Sequence, residues 1–127
     1  MAIRSNLIKR LDTVFSTYVR LSKADDNGYC KCISCDNINH WKDMDAGHYI
    51  NRKHMSTRWD VDNVSPQCHS CNRFLSGNIP EYLEAIGHDL GQHLVRRKYI
   101  ITKYSDSDLE ELLDTYKRLL EPYKHLR

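Results

Sequence analysis

Four cysteines fall into two Cys-x-x-Cys knuckles, Cys32/Cys35 in "CKCISC" and Cys68/Cys71 in "PQCHSCNRF". No other feature of the chain limits its fold as strongly. Four thiolates brought together from two tight turns satisfy a tetrahedral, borderline-soft ion, so the expected occupant is structural zinc. A redox pair or unpaired thiols are the alternatives. Cys30, two residues before Cys32, is left over. It reads as a small buried apolar side chain, with substitution as a ligand its second role.

Compartment agrees with a metal staple. No apolar run approaches the roughly 20 residues that span a bilayer, and residues 1–10 hold no apolar signal core. The expectation is a cytoplasmic protein with no membrane partner, in a reducing medium where cysteines ligate metal more often than they form disulfides. The 127 residues suit one domain, and 40% hydrophobic with 28% charged residues suits a globular one. A net charge of +2 names no partner.

Three segments make up that single domain, 1–127. In the first, 1–28, Leu7, Ile8, Leu11, Val14, Phe15, Tyr18, Val19 and Leu21 recur at helical spacing from a cap at Ser5. Arg4, Lys9, Arg10, Arg20 and Lys23 lie on or beside the polar face, with Asp12 the one acid among them, and "DDNG" ends the helix. The second, 29–77, holds every cysteine and both tryptophans, Trp41 and Trp59, which read as core. Strands are expected at Tyr29–Ile33 and Ala46–Asn51, and a helix opening at Cys71–Leu75. The third, 78–127, is helical. Pro80 starts a short helix in "NIPEYLEAIG", and a capping box of Ser107 and Glu110 starts the last one. Leu109, Leu112, Leu113, Tyr116, Leu119 and Leu120 form its apolar stripe. Arg96, Arg97, Lys98 and Lys103 carry no acid among them.

The knuckles are separated by more than the ~15–20 residues common between structural zinc pairs. The surplus contains "DAGHYINRKHMSTRWDVDNVSPQ". His48, Asn63 and Asn72 there resemble, in order and spacing, the three signature positions of the HNH (ββα-metal) nucleases. More narrowly, "LDTVFSTYVRL", "DAGHYINR", "TRWDVDNVSPQCHSCNRF" and the helical tail are similar to the NinG (Rap) recombination proteins of lambdoid phages. The resemblance departs in two places: Asn72 stands where histidine is usual, and Gly47 stands where many members carry a metal-binding acid or histidine.

The resemblance implies an α+β fold, a small zinc-stapled ββα-metal (HNH) core flanked by an N-terminal helix and C-terminal helices. It implies a metal-dependent DNA endonuclease of phage recombination, acting inside a bacterial host, with branched DNA and a recombination protein among its partners. His48 would be the general base, and Asn63 would orient it. Asp45 and Asn72 would hold a catalytic Mg²⁺ or Mn²⁺. Arg52, Lys53, Arg58 and Arg73 would position phosphates. His40, His54 and His69 read as surface groups or phosphate contacts. Two other classes stay open: a non-catalytic zinc-stabilised nucleic-acid-binding module, and a module that recruits a recombinase.

Overall fold

The computed structural model describes residues 2–127. Helix α1 spans Ala2–Ser22. Two strands, β1 (Tyr29–Lys31) and β2 (Ile38–His40), pair antiparallel across the first knuckle, with Cys30 opposite Asn39. Strand β3 (Met44–His48) pairs antiparallel with β4 (Val64–Cys68), in a register that sets Met44 opposite Cys68 and His48 opposite Val64. Between them a single turn of helix, α2 (Met55–Arg58), carries the chain across the top of the pair. A π-helical turn (Ser70–Phe74) follows β4 directly, then α3 (Ile79–Ile86), α4 (His88–Lys98) and α5 (Asp106–Leu120). None of the described helices is long and apolar enough to cross a membrane.

Helices α1 and α5 form one wall because both carry apolar residues at three- and four-residue spacing. Leu7, Leu11, Phe15 and Val19 of α1 meet Leu109, Leu113 and Tyr116 of α5, with Trp59 and Val64 closing the cluster. The Phe15 and Tyr116 rings meet edge to face, centroids 4.9 Å apart. A second cluster gathers Leu21, Trp41, Met44 and Leu120 around Cys30, Cys32, Cys68 and Cys71. Val14 and Tyr18 touch both clusters, so α1 is the spine that joins the helical wall to the cysteine-rich half.

Several local expectations shift. Helix α1 begins upstream of Ser5, which lies within it and caps nothing. The capping box of α5 is Ser105 with Asp108, because the earlier Ser–Asp pair already exchanges side-chain and backbone bonds at 2.9 and 3.0 Å. Leu119 of the expected stripe is exposed. Both strands are displaced or shorter than expected, and Cys71–Leu75 falls in a π-helical turn closed by Leu75 N–H on Ser70 O. At the end of α5, Pro122 removes an amide donor and the chain tightens into a 3₁₀ turn, Glu121–Leu126.

Phe15 is almost wholly buried and holds the centre of the α1–α5 contact. Phe15→Ala is expected to destabilise the protein by about 3–5 kcal/mol, read as a lower urea midpoint with an unchanged slope.

Candidate functional site

The four knuckle thiols converge. Their sulfurs all lie within 4.8 Å of one another, and Cys35 Sγ stands 3.7 Å from Cys68 Sγ. A tetrahedron with bonds of about 2.3 Å to sulfur has edges of about 3.8 Å, which the Cys35–Cys68 pair matches and the whole set comes close to. That spacing is far too long for a disulfide, whose sulfurs sit about 2.05 Å apart. Two donors point at the sulfurs: Cys71 N–H to Cys68 Sγ at 3.4 Å and Asn78 Nδ2 to Cys71 Sγ at 3.5 Å. Burial pushes the Cys71 thiol up to about 12, a cost that a dication shared by four thiolates reverses. Geometry and donor chemistry both fit zinc. Cys30 is buried outside the four and packs against Trp41 and Met44 as an apolar residue.

His48 lies at the end of β3, beside a cleft of about 500 Å³ lined by Ala46, His48, Asn51, Arg52, Asn72, Ser76 and Gly77. Its Nε2 sits 2.9 Å from the carbonyl oxygen of Arg58. A carbonyl can only accept, so Nε2 carries the proton and Nδ1 keeps a lone pair. Burial is the main influence holding the imidazole below the ordinary histidine value. The Arg52 and Arg58 charges act the same way, against the opposing pull of the Arg58 carbonyl and Asp12. The ring is therefore neutral near pH 7.

Asn63 explains why the Arg58 carbonyl is where it is. Its side chain is 0% exposed and spends every polar position on the backbone. Oδ1 accepts from Ile50 N–H at 2.7 Å, while Nδ2 donates to Ile50 O and Thr57 O, both at 3.1 Å. One amide thus ties the exit of β3 to α2, immediately before the residue that receives the His48 bond. Asn63 does not line the His48 cleft; it acts on the loop beside it.

Asp45 and Asn72 do meet, with Asn72 Nδ2 donating to Asp45 Oδ2 at 3.0 Å. The carboxylate is not free, however. Arg73 grips both its oxygens through Nε and Nη2, each at 2.9 Å, and His69 Nε2 lies 3.5 Å away. Partial burial raises the Asp45 carboxyl, but the hydrogen bonds from Arg73 and Asn72 and the neighbouring positive charges outweigh it and hold it below the usual carboxylate value. A carboxylate with an amide oxygen suits a hard cation chemically. As folded, though, Asp45 is an ion-pair acceptor, and a cation could enter only if Arg73 left. Among the described residues the four cysteines form the one cluster of three or more metal-ligating side chains.

The expected phosphate contacts separate. Arg52 lines the His48 cleft, and Arg52 and Lys53 are exposed. Arg58 is a correction. Its side chain is only 16% exposed, and its Nε and Nη2 bond both oxygens of Asp12 at 3.0 and 2.6 Å. That fork holds α2 onto α1 and occupies the guanidinium within the fold. Asp12 also accepts from Trp59 Nε1 at 2.9 Å. This hub was missed by sequence reasoning, and the signal was the lone acid on a basic helix face. Arg97 similarly finds Asp60 and Asp62, at 2.7 and 3.0 Å, across the fold.

Gly47 has a steric reason to be glycine. A Cβ there would run into the side chain of Gln67, which is fully buried and donates to Ser34 Oγ at 2.9 Å and Gly77 O at 2.5 Å. The space that a side chain at position 47 would take is filled by a neighbour's amide.

The chain matches, over residues 1–125, the family model described as "Bacteriophage Lambda NinG protein". It belongs to the NinG family. Protein ninG of Escherichia phage 933W and of Enterobacteria phage VT2-Sa are each 31% identical to it over 93 residues, which cover 72% of this chain and 44% of theirs. The chain thus spans less than half the length of these curated relatives. No solved structure matches it.

For this NinG-family chain the tetrathiolate predicts one zinc per molecule. Metal analysis should find it, and strong chelation or Cys68→Ser should lower the melting temperature and loosen the 29–77 segment. Zinc-free protein that melts where the loaded protein does would remove the staple.

Proposed function

We propose that this NinG-family chain is an HNH-type endonuclease that hydrolyses DNA phosphodiesters with His48 as general base, in phage recombination. The observation that carries the reading is the fixed tautomer of His48. Asn63 fixes the loop, the loop fixes the Arg58 carbonyl, and the carbonyl leaves Nδ1 as the basic nitrogen of a ring that lines an open polar cleft. The HNH assignment itself rests on His48, Asn63 and Asn72 standing at signature spacing around an antiparallel strand pair followed by a helical turn.

In this reading Nδ1 takes a proton from water as the water oxygen bonds to phosphorus. The P–O3′ bond breaks, and the departing oxygen takes its proton from solvent. Arg52, on the cleft wall, and Lys53, next in the chain, position the phosphate electrostatically. A divalent cation such as Mg²⁺ or Mn²⁺, held by Asp45 and Asn72, would supply charge to the phosphate and the leaving oxygen. Its entry needs Arg73 to release Asp45, which the arginine's 57% exposure permits. Branched DNA and a recombination partner belong to this proposal through the family resemblance.

His48→Ala should lower plasmid nicking by about 10²–10⁴-fold while zinc content and DNA affinity persist. Nicking that survives at the wild-type rate would take the base role from His48 and leave either a different base or the non-catalytic DNA-binding class. Because only neutral His48 can accept the proton, activity should rise with pH along a limb centred below 6.5 and stay level above it. Asp45→Ala should raise the Mg²⁺ or Mn²⁺ concentration needed for half-maximal nicking; an unchanged titration would remove Asp45 from the cation site.

A further inference from the structure

A second cleft, of about 440 Å³, lies on the other side of Asn72. It shares Ala46 and Asn72 with the His48 cleft, so the two are neighbours with a common wall. Arg20, Lys42 and Arg73 line it together with Ser16 and His69, and Asp45 is the one carboxylate among the lining residues. Three permanent cations face one acid. That local surplus equals the formal net charge of the entire chain, +2, so the remaining residues balance to nothing.

We propose that this second cleft is a phosphate-binding subsite for the DNA backbone, holding a phosphate that flanks the one at His48. The proposal rests on the DNA reading above. Its cations come from three separate parts of the fold, which makes their convergence a property of the tertiary structure. Arg20, from α1, is fixed by bonds to Ser16 O and Trp41 O, both at 3.1 Å, and lies 5.1 Å from the centre of the Trp41 ring. Lys42, from the turn before β3, approaches the same ring at 5.7 Å while remaining exposed. Arg73, from the π-helical turn, is held on Asp45 with its fork aligned on two oxygens.

Phosphate offers the same pair of oxygens as a carboxylate, so Arg73 can exchange Asp45 for a backbone phosphate and keep both bonds. Arg20 needs no such exchange, because its position is set by protein carbonyls. The exchange would also leave Asp45 with only Asn72 and His69 beside it, linking backbone binding to the freeing of the carboxylate.

The test measures binding of a labelled DNA duplex across a salt series, with the zinc-loaded protein and Mg²⁺ omitted so that no added cation contributes. Lys42→Gln should weaken binding several-fold and reduce the slope of log K against log salt by about 0.9, the loss of one phosphate contact. Asp45→Asn removes the opposing charge and should tighten binding. Lys9→Gln, a control on an exposed lysine outside the cleft, should change the slope less. An equal loss in Lys9→Gln would reduce the effect to net charge and overturn the subsite. If Lys42→Gln and Asp45→Asn both bind as the wild type does while the wild-type protein nicks DNA in a His48-dependent way, the subsite is wrong and the hydrolytic reading stands. If the wild-type protein shows no salt-dependent DNA affinity, both readings fall.

Discussion

The convergence of four thiols is the constraint on which the rest depends. The cysteine-rich half contains only two pairs of strands, one three residues long and the other five, and isolated two-stranded pairs are marginal in water. The knuckles join them: Cys32 and Cys35 follow β1 closely, Cys68 ends β4, and Cys71 sits in the π-helical turn. Ligation of one ion by all four would turn two weak pairs into one unit and set the direction in which the π-helical turn leaves β4. Asn72 and Arg73, the next two residues, inherit their positions from that turn. Without the staple, Asp45 and Asn72 have no reason to meet.

A second chain of dependence runs through buried amides. Asn63 and Gln67 are both fully enclosed, and each bonds groups distant in sequence. Asn63 holds the loop that presents the Arg58 carbonyl; Gln67 holds the Gly77 carbonyl at the floor of the His48 cleft. Net gains from such bonds are modest, about 1 kcal/mol each, but stripping a partner from a buried carbonyl or amide costs about 1–3 kcal/mol. Their main effect is therefore on uniqueness: few other loop conformations satisfy the same groups. The general-base role proposed for His48 would need that property more than stability, because a rotated ring presents the wrong nitrogen.

Much of this was legible in the chain. The helical periodicity of Leu7, Leu11, Phe15 and Val19 gave the buried face of α1, and the knuckle spacing gave the thiol cluster. Both are local patterns. What escaped were partnerships set by tertiary distance. Arg58 read as a phosphate contact because it lies close to the His48–Asn72 motif in the chain, yet its partner Asp12 lies 46 residues away. Arg97 stood in a run without acids and found two from the loop before β4. Arg20 and Lys42 belonged to different segments and gave no sign of facing one cleft. Asp45 read as a cation ligand, and its pairing with Arg73, 28 residues away, gave no sign in the chain. The capping box slipped by two residues because "SDSD" offers the same chemistry in two overlapping frames, and the earlier frame begins the helix.

The close approach of Gln67 to Gly47 makes these two positions a matched set. They stand on adjacent strands of one pair, and the volume between them holds one side chain, not two. In this chain the space has been given to the residue on β4. A relative with an acid or histidine at the position of Gly47 must therefore carry something smaller at the position of Gln67, and must find another donor for the Gly77 carbonyl. The two arrangements are separated by at least two simultaneous changes, since either alone produces a collision or a void. A side chain at position 47 and a glutamine at position 67 therefore exclude each other, and neither position can be changed freely without regard to the other.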